Sequence, residues 1–150
     1  DEEKAKAQGN IFAGLASTEY REEFAGGDFL VRHILGADPD SGAVAIGAHP
    51  RVGQTMQYHL RDAATASTEL RRLGRAAAAA GVAPLASLLF TCTGRGRALF
   101  GRPNHDAGAL AKALGPHPAA GFFCNGEIGP VGETTVLHSY TASAALFYPA

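Results

Sequence analysis

The sequence predicts an α+β fold built on a mixed β-sheet, in which an N-terminal antiparallel meander is followed by α-β-α-β-β and the helices pack on the sheet. Three observations predict this order. Short strand-like segments separated by turns and a connector occupy residues 10–61, a helical period replaces them from Asp62, and two uninterrupted apolar runs follow. The chain therefore changes from antiparallel strands to helices that alternate with buried strands.

Four segments near the N terminus have strand character. The first is the apolar stretch Asn10–Ala16, and the second is Asp28–Gly36, which is rich in β-branched and aromatic residues. Turn residues around Pro39 separate the second segment from a short strand at 43–47. Residues 54–61 then alternate between apolar and polar side chains. We expect the last three segments to form a three-stranded antiparallel meander.

A helix is predicted from Asp62 to Ala80, because apolar residues recur there at helical spacing. Asp62 is suited to cap its N terminus, and Gly81 is suited to the conformation that ends a helix. This is the longest helix that the sequence predicts. The stripe expected to pack on the sheet consists of Ala66, Leu70 and Leu73.

The second half of the chain contains two continuous apolar runs, Leu85–Cys92 and Ala119–Cys124. Such runs are typical of strands that are covered on both faces. A short helix is predicted between them, with Asn104 as its N-cap and Gly115 after its end. Residues 134–147 are expected to form one long strand or a bent pair.

Length and composition limit the class of protein. A chain of 150 residues suits one domain with a substantial core, and a net charge of −1 gives no reason to expect nucleic acid or membrane as a partner. Cys92 and Cys124 lack the spacing of a metal site, so we expect reduced thiols in a cytoplasmic protein. Because the chain begins at Asp1, residues 1–19 are expected to be a connector or the end of a missing N-terminal part, and residues 20–150 to form the domain.

Two loops follow the apolar strands, and both combine glycine with polar side chains. The first loop is Thr91–Pro103 and the second loop is Gly121–Gly132. Ligands of α/β sheets collect at the carboxyl ends of strands, so we expect the two loops to share one edge of the sheet. The first loop matches neither the dinucleotide fingerprint nor the phosphate loop. Its arginines are suited to a carboxylate or another anion, and solvated surface arginines fit the same pattern equally well.

These segments resemble the C-terminal part of the FIST (F-box and intracellular signal transduction) domain, a family of sensory domains. The resemblance covers roughly Tyr20–Phe147, and its most specific parts are C-x-G-R-G at Cys92–Gly96 and F-F-C-N-G-E-I-G-P at Phe122–Pro130. It implies a small-ligand-binding sensory domain of an intracellular signal transduction protein, with an amino acid or a small carboxylate as the ligand. It also implies the missing N-terminal FIST part and a downstream signalling protein as partners.

The resemblance marks the candidate ligand-binding residues as well. Arg95 is expected to bind a carboxylate and Glu127 an ammonium group, beside an apolar floor that Phe100, Phe122 or Phe123 supplies. An equally weighted alternative is that Glu127 accepts hydrogen bonds from backbone N–H groups of its own loop. The expected ligand-binding residues are Cys92, Gly94, Arg95, Gly96, Phe123, Asn125, Gly126, Glu127, Gly129, His138 and Tyr140.

Three other functions have some basis in the sequence. Cys92 beside Arg95 is a conceivable nucleophile with His105 or His138 as its base, but no catalytic motif is present and free cysteine is usually buried, so an enzyme is not expected. Neither a cofactor nor a metal is expected. The resemblance also implies a haem-based nitric oxide sensor as one alternative, which the six histidines leave open, and a protein-interaction module of a signalling or F-box type protein as the other.

Overall fold

The computed structural model describes residues 9–18, 21–25, 27–131 and 134–150. Its strands are β1 (Ile11–Ala16), β2 (Phe29–Ala37), β3 (Val44–Ile46), β4 (Met56–Leu60), β5 (Ala86–Cys92), β6 (Ala119–Cys124), β7 (Glu127–Val131), β8 (Thr134–His138) and β9 (Ala142–Phe147). Its helices are α1 (Ala63–Ala78), the single turn α2 (Arg97–Phe100) and α3 (His105–Leu114), and a 3₁₀ turn covers Thr93–Arg95. The α+β class is confirmed. None of the described helices is long and apolar enough to cross a membrane.

The described residues fall into two compact units. The described residues of Asp1–Arg61 and Pro130–Val136 form unit 1, and those of Asp62–Gly129 and Leu137–Ala150 form unit 2. Strands β7 and β8 pair with each other, and each strand passes from one unit to the other along the chain. Of the expected connector, residues 1–8 and 19 lie outside the described residues, whereas β1 is an integral strand of unit 1.

Unit 1 is built on an antiparallel sheet with the strand order β3-β2-β1-β4. The antiparallel strands are confirmed, but the expected meander order is wrong at its last step, since β4 pairs with β1 and not with β3. The reason is the apolar character of β1, whose residues Phe12, Ala13, Leu15 and Ala16 are all buried. A strand this apolar is most stable inside a sheet, where both of its edges are paired.

Gly14 of β1 makes room for the ring of His59 on β4. A Cβ atom at Gly14 would lie 2.4 Å from the His59 ring, and the same ring meets Phe29 edge-on with 4.9 Å between the ring centroids. His59 Nε2 is buried without a hydrogen-bond partner among the described residues. Burial disfavours the protonated imidazole and lowers the pKa of His59.

Unit 2 contains a mixed sheet with the order β6-β5-β9, in which β5 is parallel to β6 and antiparallel to β9. The expected burial of β6 on both faces is wrong, because Phe122 and Phe123 are 63% and 57% exposed. β6 is an edge strand that pairs with β5 alone. The C-terminal strands are the bent pair: Tyr140, at φ 62°, separates β8 from β9.

Helix α1 begins as predicted and ends at Ala78, two residues before the predicted Ala80. Asp62 accepts a hydrogen bond from the Thr65 backbone N–H at 2.6 Å, and Gly81 adopts a φ of 73° after the last turn. The predicted stripe is wrong at Leu73, which is 50% exposed. The buried face instead runs through Ser67, Leu70 and Gly74, because α1 packs on α3.

The α1–α3 contact depends on the absence of a side chain at Gly74. A Cβ atom there would lie 2.8 Å from the Ala113 Cβ, whereas Gly108, on the exposed side of α3, has nothing within 4 Å. We expect Gly74→Leu to lower the free energy of unfolding by about 1–3 kcal/mol through overpacking. The matched Gly108→Leu should raise it by up to about 1 kcal/mol through helix propensity. Urea denaturation measures both changes, and equal effects at the two positions would refute this packing.

The lowered pKa of His59 predicts a pH dependence of stability. In the unfolded chain His59 binds a proton near its usual pKa of about 6.5, whereas in the folded chain it binds one only at a lower pH. The free energy of unfolding should therefore fall as the pH is lowered through about 6.5. His59→Phe retains an aromatic ring against Phe29 and removes the titration. As the pH is lowered from 8 to 5, the wild type should lose more unfolding free energy than the variant does. A difference that is constant with pH would contradict the assignment.

Candidate ligand-binding site

The two loops meet at the carboxyl ends of β5 and β6, as expected. Cys92 and Cys124 end these parallel strands as register partners, and both thiols are free. One residue beyond them, the Thr93 hydroxyl donates a hydrogen bond to Asn125 Oδ1 at 2.7 Å. The loops therefore begin side by side at one edge of the sheet.

The first loop curls into helical turns that carry Arg95 inward. The 3₁₀ turn ends at Arg95, α2 follows, and Gly101, at φ 68°, ends α2. The Arg95 guanidinium donates from Nε to Asp106 Oδ2 at 2.8 Å and from Nη2 to Asp106 Oδ1 at 3.0 Å. Both side chains are only 8% exposed. This is a buried, bidentate ion pair, in which the two planar groups match.

A buried polar chain extends from this pair to α1. His105 Nδ1 lies 2.9 Å from Asp106 Oδ1, and His105 Nε2 lies 2.8 Å from the Ser67 hydroxyl oxygen. A carboxylate only accepts, so Nδ1 carries a proton that it donates to Asp106. Phe100 stacks on the His105 ring at 3.6 Å, and the Arg95 guanidinium lies 5.4 Å from the centre of the Phe100 ring. These hydrogen bonds and ring contacts fix the position of Arg95 from several directions.

A cavity of about 360 Å³ lies beside this pair and is entirely within unit 2. Arg95, Gly96 and Asn104 contribute to its wall. β5 contributes Ser87, Leu89 and Thr91; α3 contributes His105, Asp106, Ala107, Leu110 and Ala111; and the remaining wall is His117 with Ala119, Ala120, Gly121, Phe122 and Phe123. The volume falls within the range of small-molecule sites.

Small residues keep this space open. Ala107 and Ala111 lie on α3, and Ala119 and Gly121 lie on β6. Gly121 is required by the backbone itself, since a Cβ atom there would lie 1.8 Å from the Leu89 carbonyl oxygen. The wall between the polar side chains is therefore apolar, and its side chains occupy little volume.

The end of the cavity near the start of β5 has a second polar pair. The Ser87 hydroxyl lies 2.9 Å from His117 Nε2, and His117 Nδ1 lies 2.8 Å from the Gly115 carbonyl oxygen. Ser87 is buried and His117 is half-buried. Sequence reasoning missed both residues, and it also missed Asp106. For Asp106 the signal was an acidic residue in the first turn of a helix, which fits many helices equally well.

The prediction of a second loop at Gly121–Gly132 is largely wrong, because Gly121–Cys124 belong to β6 and Glu127–Val131 form β7, with Asn125 and Gly126 between the two strands. Glu127 is only 1% exposed and accepts hydrogen bonds from the Thr141 backbone N–H at 3.2 Å and from the Cys124 thiol at 3.4 Å. His138 Nε2 donates to the Gly129 carbonyl oxygen at 3.1 Å. Burial raises the pKa of the Cys124 thiol, and the neighbouring Glu127 raises it further. These contacts tie three strands together.

The structure separates the predicted site residues into two groups. Arg95, Gly96 and Phe123 contribute to the cavity wall. The other expected residues lie outside that wall: Cys92, Gly94, Asn125, Gly126, Glu127, Gly129, His138 and Tyr140. Glu127 accepts from a backbone N–H group, as its alternative role required, but that group belongs to Thr141 and not to its own loop. Arg95 and Glu127 therefore have separate partners.

The buried ion pair predicts a strong dependence of stability on Asp106. Asp106→Leu leaves the Arg95 guanidinium buried without its carboxylate, so the free energy of unfolding should fall by about 3–5 kcal/mol. The double variant Arg95→Met/Asp106→Leu removes both charges and should recover most of that loss. Urea denaturation of the single and double variants gives the coupling energy. A double variant that is as unstable as Asp106→Leu would show that the pair does not carry the effect.

The comparisons with known proteins give a family match and several relatives. The model of the FIST C domain family matches residues 1–130. The chain is 47% identical over 148 residues to an uncharacterized protein of Mycobacterium tuberculosis strain H37Rv, a match that covers 98% of this chain and 38% of that protein. It is 44% identical over 147 residues to an uncharacterized protein of Mycobacterium bovis, with coverage of 97% and 38%. No solved structure matches the chain.

The chain thus spans about 38% of the length of the curated relatives it matches. The family match includes both motifs that carry the resemblance, the residues Cys92–Gly96 and Phe122–Pro130. It also includes the Arg95–Asp106 pair and the whole cavity wall. By this match, the chain belongs to the FIST C domain family, a family of signal transduction sensory domains.

Proposed function

We propose that unit 2 is the small-ligand-binding part of a sensory protein of intracellular signal transduction, and that its ligand binds in the cavity beside Arg95. The observation that carries the proposal is a buried guanidinium held at the wall of a largely apolar cavity of about 360 Å³. Ligand pockets of this kind combine an apolar lining with a few fixed polar groups. The proposed ligand carries a carboxylate group.

Arg95 is suited to a carboxylate because part of its guanidinium remains for a ligand. Nε and Nη2 donate to Asp106, while Nη1 has no acceptor among the described residues. Asp106 also holds the guanidinium in one orientation, so little side-chain freedom is lost when a ligand binds. A charge-assisted hydrogen bond to Nη1 then contributes both affinity and orientation.

The same geometry favours simple carboxylates over amino acids. An amino acid needs an anionic partner for its ammonium group, and Asp106 is the acidic side chain in the described part of the cavity wall. Asp106 already accepts hydrogen bonds from Arg95 and His105. Glu127, which was expected to receive the ammonium, lies outside the wall. Within the expected ligand class, small carboxylates are therefore proposed to bind more tightly than amino acids.

The haem alternative receives less support from the histidines at the cavity. Both ring nitrogens of His105 are hydrogen-bonded, to Asp106 and to Ser67, and both ring nitrogens of His117 are hydrogen-bonded, to Gly115 and to Ser87. An axial ligand must present a free nitrogen to the iron. Either histidine would have to break a buried hydrogen bond first, so an organic ligand is the better fit.

An interaction role has one specific observation in its favour. Phe122 and Phe123 are exposed on the edge strand β6, where unpaired backbone groups accompany apolar side chains. Exposed apolar surface on an edge strand is typical of a contact with another protein segment. The proposed partners are the N-terminal FIST part and a downstream signalling protein. Because Phe123 also lines the cavity, such a partner would lie next to the ligand.

The binding proposal is tested by changing Arg95 while keeping its charge. Arg95→Lys retains a cation for Asp106 but loses the forked geometry, so the affinity for a carboxylate should fall by about 1.5–3 kcal/mol. Calorimetric titration with a panel of amino acids and small carboxylates identifies the best ligand for the wild type and measures the loss. Arg97→Lys, two positions away on an exposed side chain, is the matched control and should bind like the wild type.

Two results would contradict the proposal. One is a ligand whose affinity is the same in the wild type and in Arg95→Lys. The other is a panel in which no carboxylate binds at all. If amino acids bind more tightly than the matching carboxylates, the carboxylate site stands but the ranking of ligands is wrong. Pigment in the purified protein would instead favour haem.

A further inference from the structure

The cavity has polar groups at both ends and apolar groups between them. Ser87, Leu89 and Thr91 occupy alternate positions of β5, so their side chains point to the same face of the sheet, and all three line the cavity. Four residues of a strand span about 13 Å. The Ser87 end therefore lies about that far from the end of β5 that leads to Arg95.

The chemistry of the Ser87 end follows from the tautomer of His117. The Gly115 carbonyl oxygen only accepts hydrogen bonds, so the proton of the neutral ring lies on Nδ1. Nε2 must then accept, and the Ser87 hydroxyl donates its proton to it. The Ser87 oxygen keeps lone pairs, which makes this end an acceptor for a ligand hydrogen-bond donor. A hydroxyl or an amide N–H has the required proton.

The two ends therefore differ in what they bind. The Arg95 end offers a donor with positive charge, and the Ser87 end offers a neutral acceptor. Asp106, the acidic side chain of the described wall, is committed to Arg95 and His105, so no carboxylate balances an ammonium group at the Ser87 end. The middle of the wall is apolar, with Leu89 and Leu110 as its largest aliphatic side chains.

Resting on the proposed function, we infer that the ligand is an elongated molecule with two different head groups: a carboxylate at Arg95, an uncharged hydrogen-bond donor such as a hydroxyl at Ser87, and an apolar chain between them. A hydrogen bond of about 2.8 Å at each end takes up part of the span of about 13 Å, so the ligand itself covers about 7.5 Å. An extended chain advances about 3.3–3.6 Å for every three bonds, so this length corresponds to about six or seven bonds. The adjacent ammonium and carboxylate groups of an α-amino acid are too close together to occupy both ends at once. The length describes a class of hydroxy acids with five or six carbon atoms.

The test is calorimetric titration of the 150-residue chain with two matched pairs of probes. The long pair is 6-hydroxyhexanoate and hexanoate, and the short pair is 3-hydroxypropanoate and propanoate. In the wild type, the terminal hydroxyl should improve the affinity of the long acid by about three- to tenfold, the typical worth of one hydrogen bond. It should not improve the affinity of the short acid, because its hydroxyl cannot reach Ser87 from Arg95.

Variants show which residue is responsible for the higher affinity of the long hydroxy acid. Ser87→Ala should abolish the difference between 6-hydroxyhexanoate and hexanoate and leave the hexanoate affinity within about twofold. Ser143→Ala changes the same residue type on β9 of the same sheet, outside the cavity wall, and should keep the difference. Arg95→Lys should weaken both long acids by about the same factor. The long and short pairs are compared in the wild type alone. This comparison therefore tests the two-headed ligand even if Ser87→Ala does not fold.

The outcomes separate this inference from the proposed function. If carboxylates bind and depend on Arg95, but the hydroxyl gives no advantage in the long pair or an equal advantage in both pairs, the two-headed ligand is wrong and the carboxylate site stands. A hydroxyl advantage that persists in Ser87→Ala likewise overturns the inference alone. If neither acid binds, or if Arg95→Lys binds both as the wild type does, the inference and the proposed function fail together.

Discussion

The bidentate ion pair between Arg95 and Asp106 is the constraint on which the candidate site depends. Removing two charges from water costs several kcal/mol for each ion, and only close pairing with further hydrogen bonds offsets that cost. Here Asp106 accepts from two nitrogens of Arg95 and one of His105. These short bonds fix the positions of the 3₁₀ turn that ends at Arg95, the helical turn α2 and the start of α3.

The same pair connects the cavity to the contact between helices. His105 bonds Asp106 with one ring nitrogen and Ser67 of α1 with the other, and Gly74 lets α1 approach α3 closely. Polar groups in this chain lie in a low-dielectric environment, where a fully satisfied network is strong and a broken one is costly. The wall that would contact a ligand is thus part of the core packing of unit 2, and it is not a loop laid over the surface.

The two glycine-rich loops have different physical roles, although they begin side by side. The first loop turns a buried cation toward the cavity. The second loop places Glu127 and Gly129 against the β8–β9 junction, where Thr141 and His138 donate hydrogen bonds to them. Segments of similar composition therefore have different roles: in the first a charged residue lines the cavity, and in the second a charged residue connects strands.

The sequence by itself determined the α+β class, the ends of α1 at Asp62 and Gly81, and strands β5 and β6, because these follow from local periodicity, capping and apolar runs. It also identified Arg95 as the cation of the first loop. Only the tertiary structure decided that β1 separates β2 from β4, that Gly74 and not Leu73 faces α3, and that Asp106, Ser87 and His117 join the cavity. These features depend on contacts between residues distant in the chain, such as Ser87 with His117 and Arg95 with Asp106. A local pattern encodes which element a residue lies in, but the partner that a buried polar group finds is fixed only when the elements pack.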